Sequence, residues 1–187
     1  NITPAANLKD FVHNIEATLV EIRDMVPKEL EFAFEPAVVF EKTYFDLLPD
    51  PVKELGCDPD FNPHTMSYNP PPQRPVHGMC TGAGHIHVGW TEGRNTKEDT
   101  SHITDCALYA NYFHANVCFL NDRDKSERRK MYGNNSPLRI KPYGVEVREP
   151  SNYWLRSKET WNYIYNIATY THRQLAGEKF GAEYVPS

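Results

Sequence analysis

The sequence predicts a single α+β domain, because helix-like and strand-like segments are mixed irregularly along its 187 residues. Helical periodicity occurs near both ends and in the middle of the chain. Between these segments lie short runs rich in β-branched and aromatic residues, which are typical of strands. The order lacks the strand–helix–strand rhythm of a parallel sheet. We therefore expect a sheet with packed helices in one domain spanning residues 1–187.

The composition is that of a globular protein, with 40% hydrophobic and 24% charged residues. A net charge of -5 argues against a nucleic-acid partner. No apolar run approaches the ~20 residues of a membrane span, and no signal peptide is evident. The four cysteines form no CxxC pair, so a cysteine zinc site is not expected. We interpret them as reduced thiols of a cytoplasmic protein.

The first elements follow from apolar spacing. A helix is predicted over 4–26, with Thr3 as its N-cap, and it carries a stripe of apolar residues at spacings of three and four: Leu8, Phe11, Val12, Ile15, Leu19, Ile22 and Val26. The run "LEFAFEPAVVFE" at 30–41 is interpreted as a strand interrupted at Pro36. Residues 49–78, which contain "NPPPQRP", are predicted to form a long ordered loop or flap.

The second half alternates between strands and helices. "GMCTGAGHIHVGW", ending at Trp90, is predicted to be a strand, and a helix is expected over about 97–120. A charged helix or loop follows, and then "SPLRIKPYGVEVREPSN" is predicted to be two strands joined at Pro142-Tyr143-Gly144. The last helix is expected over about 152–176, with Gly177 ending it.

Three pairs of side chains have the spacing that places neighbours on one face of a strand. They are His85 with His87, Glu146 with Arg148, and Arg139 with Lys141. Imidazole binds divalent metals or phosphate oxygens, and the arginine fork suits phosphate or carboxylate. Each pair alone also has an ordinary structural interpretation, such as a core histidine, an ion pair or a solvated cation. Together they describe a metal, a polyphosphate and a carboxylate gathered on one sheet.

Two of these stretches carry a family resemblance. "GAGHIHVGW" and "GVEVREPSNYW" resemble the HxH and ExR strands of the glutamine synthetase and glutamate–cysteine ligase superfamily. The longer run "RRKMYGNNSPLRIKPYGVEVREPSNYWL", together with "GCDPDFN", is more similar to the carboxylate–amine ligases often encoded by bacteriophages. The resemblance implies a glutamine-synthetase-like curved antiparallel sheet with packed helices, and an enzyme of the host cytoplasm if phage-encoded.

The resemblance also implies a reaction and residue roles. The reaction is ATP-dependent joining of a small-molecule or peptide carboxylate to an amine through an acyl phosphate, with Mg2+ or Mn2+. His85 and Glu146 would bind one metal ion, with Asp58 and Asp60 as further acidic candidates. His87 would contact a phosphate or the acyl substrate. The nucleotide and its transferred phosphoryl group would be stabilised by cationic side chains: Arg129, Arg139, Lys141 and Arg148.

One departure from the superfamily affects the prediction. Its members carry acidic metal ligands on strands before the first helix, whereas this chain starts almost at that helix. We expect those strands to come from an N-terminal segment or a partner chain, and an unpaired sheet edge to favour self-association. Two alternatives remain open: a catalytically incomplete ligase-like domain that is a binding or structural module in a larger, even viral, assembly, and a metallohydrolase that works without ATP.

Overall fold

The computed structural model describes residues 1–55, 59–90, 100–123, 128, 131–132 and 136–177, with side chains as far as position 117 in the 100–123 segment. The helices are α1 (Leu8–Met25), α2 (Lys42–Asp46), α3 (Asp50–Lys53), α4 (Thr100–Arg123) and α5 (Lys158–Leu175). The strands are β1 (Ala37–Val39), β2 (Phe61–Asn62), β3 (Ser67–Tyr68), β4 (Met79–Thr81), β5 (Ile86–Gly89), β6 (Leu138–Lys141) and β7 (Gly144–Val147).

The described strands form two sheets. Five of them build one antiparallel sheet in the order β3-β2-β6-β7-β5, and β1 pairs with β4 in a separate two-stranded sheet. This arrangement confirms the predicted α+β class. Among the described strands β5 has β7 as its one neighbour, so the strand after His85 forms an edge of the larger sheet.

Apolar and polar side chains alternate along the strands, which gives the larger sheet one apolar face. Ile86 of β5, Leu138 of β6, and Val145 and Val147 of β7 are buried on this face. Helix α4 packs on β6 and β7, α5 packs on α4, and α1 packs on α5. Burying apolar side chains between these layers supplies the main driving force for the fold.

The helices bury most of the predicted apolar positions. The apolar spacing of α4 predicts a buried face, and of its six residues Ile103 is only half-buried while the other five are in the core: Cys106, Ala107, Ala110, Phe113 and Val117. On α1 only Ile15 is fully buried, whereas Ile22 is 42% exposed. The predicted stripe on α1 is therefore covered in its first half and largely open towards its C-terminal end. None of the described helices combines the length and apolar character needed to cross a bilayer.

Two predicted helix boundaries are wrong, and in each case a polar side chain explains the difference. Helix α1 begins after Asn7 rather than Thr3, because the Asn7 side chain accepts a hydrogen bond of 2.9 Å from the backbone N–H of Asp10. The last predicted helix is divided at Ser157 into a 3-10 turn (Asn152–Arg156) and α5. Ser157 and Thr160 form a reciprocal capping box that starts α5.

The predicted long strands are also shorter in the structure. Of the run 30–41, only β1 is extended and paired. The run 78–90 is divided into β4 and β5, which belong to different sheets. The predicted flap 49–78 contains α3 and the β2–β3 hairpin, and the helix predicted from about 97 is described only from Thr100.

The β6–β7 hairpin has a tight turn that only glycine fits. Gly144 has φ +151, and a Cβ there would lie 2.0 Å from the carbonyl oxygen of Val88 on β5. The missing side chain therefore lets β5 approach β7 directly after the turn. This close approach sets the register between the strands that carry His87 and Glu146.

We expect Gly144→Ala to destabilise the protein by about 3 kcal/mol, because it adds both backbone strain and a steric overlap. Gly177→Ala is the matched control, since Gly177 also has positive φ but a Cβ added there would have no neighbouring atom within 4 Å. The control should lose about 1 kcal/mol, from backbone strain alone. Urea unfolding of both variants measures the difference, and equal losses would contradict the packing account.

Candidate functional site

The strand register brings the predicted residues into one row across the sheet. Glu146 on the central strand β7 pairs directly with His87 on β5 and with Arg139 on β6. Residues directly opposite one another in antiparallel strands project to the same face. His85 and Lys141 are two positions along the chain from His87 and Arg139, so they lie on the same face, on opposite sides of this row. We call the side of the sheet opposite α4 that carries these residues the polar face.

Glu146 is the hub of the polar face. Its Oε1 lies 3.2 Å from His85 Nδ1 and also accepts a hydrogen bond from Arg148 Nη1. Its Oε2 lies 2.8 Å from Lys141 Nζ and 3.7 Å from Arg139 Nη1. The predicted approach of His85 to Glu146 is therefore present, as is the shared face of the Arg139 and Arg148 side chains. Glu146 and Arg148 are each only 3% exposed.

One predicted acidic residue joins this cluster, and two other predicted residues lie outside the described part of the chain. Asp60, directly before β2, accepts a hydrogen bond from Arg148 Nε. Arg148 therefore bridges two carboxylates. Asp58 and Arg129 belong to the residues that the structure does not describe. The described cluster has three cationic side chains and two carboxylates, so it retains one positive charge with neutral histidines.

The surroundings of Glu146 keep it ionised. Burial raises the pKa of Glu146. Hydrogen bonds from His85 and Lys141 and the charges of Arg148 and Arg139 lower it by a larger amount, so the pKa lies well below its usual range. An ionised carboxylate at this position in turn holds Lys141 and Arg148 in fixed orientations. The cationic groups are thus arranged before any ligand arrives.

The sequence did not single out Tyr143 as a site residue, although it lies in the predicted turn. Its hydroxyl is 2.5 Å from His87 Nδ1. Partial desolvation by neighbouring groups lowers the pKa of His87, while partial desolvation and the charge of Glu146 raise the pKa of Tyr143. Both side chains are therefore neutral near neutral pH. The sequence did contain a signal: Tyr143 is an aromatic residue in the turn between the Arg139–Lys141 pair and the Glu146–Arg148 pair.

Arg128 supports the polar face from beneath, which the sequence also did not predict. The "NDRDKSERRK" run was predicted to be a charged helix or loop, yet Arg128 is 1% exposed. Its guanidinium donates to the backbone carbonyls of Glu149 at 3.0 Å and Pro150 at 3.3 Å. These bonds fix the chain directly after Arg148. Arg128 is therefore a structural residue that supports the position of Arg148.

The described residues do not fit a divalent metal as they lie. Mg2+ prefers oxygen ligands, and both carboxylates of the cluster are already paired with Arg148. Each carboxylate oxygen of Glu146 has two nitrogen groups within 4 Å, so a metal ion would have to compete with them for the carboxylate. Within the described ranges no group of three or more metal-ligating side chains occurs. The roles of His85 and Glu146 as metal ligands remain a prediction.

Comparisons with known proteins give no independent identification: no protein-family model, curated protein or solved structure matches this chain. The side chains of the polar face form a net-positive cluster of fixed geometry beside His85 and His87. Such a cluster is suited to binding oxyanions.

We expect Glu146→Gln to lower the free energy of unfolding by about 3 kcal/mol at neutral pH, because it leaves buried Arg148 with one carboxylate partner fewer. The folded-state pKa of Glu146 is lowered, so its stabilisation is present above its ordinary pKa of 4.5 and is lost as the pH falls below it. The difference between wild type and variant should therefore shrink in acid. Chemical unfolding at several pH values measures it.

Glu16→Gln is the matched control, because Glu16 forms a surface ion pair with Lys158 and its side chain is 41% exposed. That substitution should cost less than about 1 kcal/mol and show little acid dependence. A Glu146 variant that is as stable as this control, or a wild-type–variant difference that does not change between neutral and acid pH, would contradict the assigned ionisation of Glu146.

Proposed function

We propose that the polar face is the active site of an ATP-dependent ligase that joins a carboxylate to an amine through an acyl phosphate. The observation that carries this proposal is the convergence of His85, His87, Arg139, Lys141, Glu146 and Arg148. These residues come from distant parts of the chain, and the sequence resemblance alone assigns each of them a role in one site. Their common location supports the proposal.

The proposed reaction has two balanced steps. A carboxylate oxygen attacks the γ-phosphorus of ATP, the bond to ADP breaks, and an acyl phosphate forms. The amine nitrogen then attacks the acyl carbon, inorganic phosphate leaves, and the amine proton passes to a base. Negative charge accumulates between nucleotide and acid in the first step, so preorganised cations stabilise its transition state.

The contacts of the polar face suggest which residues hold the site together and which contact the substrates. Arg148 and Glu146 are buried and hold one another, so they form the fixed base of the site. Arg139 and Lys141 are part-exposed, at 31% and 24% for their side chains, and remain accessible to phosphate oxygens. His87 is exposed at the edge strand, where an acyl or phosphoryl oxygen can reach it. Mg2+ enters this proposal as the ion that ATP carries.

A second function, a binding module without catalysis, is favoured by one observation. The carboxylate of Glu146 is occupied by the protein's own nitrogen groups, as expected of a structural ion network. Such a domain would hold a nucleotide or another polyanion on the polar face without turning it over. Measuring nucleotide binding and turnover on the same sample separates the two functions.

We expect the chain to form hydroxamates from hydroxylamine, ATP and an acid when Mg2+ is present, because hydroxylamine traps an acyl phosphate in place of the amine. L-glutamate, L-aspartate and a peptide with a free C-terminus are the acids to compare. Arg139→Ala should lower turnover by about a hundredfold, which is typical when one transition-state charge contact is lost. Its folded stability should change little.

Arg156→Ala is the control for this assay. Arg156 is a part-exposed arginine that pairs with Glu35 at 3.1 Å, outside the polar face. Its substitution should leave turnover unchanged. Tight nucleotide binding without hydroxamate or ADP formation would favour the binding module, and absence of both binding and turnover would contradict the ligase proposal.

A further inference from the structure

Tyr143 spans from the β6–β7 turn to the edge strand β5. Its hydroxyl lies 2.5 Å from Nδ1 of His87, and the two rings are 6.1 Å apart between centroids. Gly89 lies beside this turn: a Cβ there would be 3.3 Å from the carbonyl oxygen of Tyr143, which is a tight contact, and 3.8 Å from its Cδ2, which is an ordinary one.

The turn that carries Tyr143 is held from the core side. His102 on α4 is hydrogen-bonded through Nε2 to the carbonyl of Lys141 at 3.0 Å. Cys106, one helical turn further along, donates its thiol hydrogen to the carbonyl of Gly144 at 3.4 Å. Both side chains are buried, at 2% and 0% exposure. The turn is thus anchored on each side of Tyr143, which limits where its hydroxyl can point.

We propose that Tyr143 is a positioning residue that fixes His87 in the tautomer with its proton on Nε2. A phenol that donates to Nδ1 requires that nitrogen to be unprotonated, so the ring proton of a neutral imidazole is on Nε2. His87 then presents an N–H donor to an oxyanion on the polar face. The identity of this oxyanion as an acyl or phosphoryl oxygen rests on the proposed function. The assignment of the tautomer rests on the contact between Tyr143 and His87 alone.

Nitrogen-15 NMR of the histidine-labelled full chain at fixed neutral pH tests the tautomer directly. The couplings of the two ring nitrogens to the carbon-bound ring protons distinguish which nitrogen carries the proton. The signals of His87 are those that disappear in His87→Gln. We expect an unprotonated Nδ1 and a protonated Nε2 in the wild type, and a mixture of both tautomers in Tyr143→Phe.

Tyr112→Phe is the matched control, because Tyr112 is a tyrosine on α4 with 45% exposure, similar to the 43% of Tyr143. It should leave the His87 tautomer unchanged. A wild-type His87 with its proton on Nδ1 would overturn the proposal. So would a Tyr143→Phe spectrum identical to that of the wild type, and neither readout depends on ATP turnover.

Binding of inorganic phosphate, measured by calorimetry, tests the donor separately. The side-chain amide of glutamine reaches the position of Nε2, whereas that of asparagine reaches the position of Nδ1. His87→Gln should therefore retain more phosphate affinity than His87→Asn, which should bind about tenfold more weakly than the wild type. Equal affinities of the two variants would overturn the assignment of Nε2 as the donor.

Discussion

The buried carboxylate of Glu146 is the group on which the polar face depends. It lies on the central strand β7, and the nitrogen groups around it come from β6, from His85 directly before β5 and from Arg148 directly after β7. An unpaired carboxylate in this position would cost several kcal/mol. Pairing of the three strands and formation of the candidate site therefore stabilise one another. Val145 and Val147 of the same strand are in the core, so β7 contributes side chains both to the apolar face and to the polar face of the sheet.

The sequence was sufficient to predict which side chains share a strand face. The two-residue spacing of His85 with His87, and of Glu146 with Arg148, follows from strand geometry alone. In the structure His85 and Arg148 both contact Glu146, although each lies one residue outside its strand. The apolar positions of α4, such as Phe113, follow equally from helical spacing. Such local periodicities depend on backbone geometry within one element, so they can be read without knowing the tertiary fold.

The remaining features depend on contacts between distant segments. The register that places Glu146 opposite His87 is accompanied by the close approach of Gly144 to Val88 and Gly89, a contact between segments more than fifty residues apart in sequence. The apolar run 30–41 has high strand propensity, but only three of its residues find a partner strand. The burial of Arg128 among backbone carbonyls is likewise a tertiary effect, which the charged composition of its own segment does not indicate.

The central claim is that the polar face binds the phosphates of a nucleotide, and an NMR titration with Mg2+ and a non-hydrolysable ATP analogue tests it most directly. We predict shift changes concentrated in the side chains of Arg139, Lys141 and His87. The methyl groups of Val145 and Val147, on the opposite face of the same sheet, should change little. Saturable binding whose changes fall away from the polar face, or no binding at all, would contradict this claim.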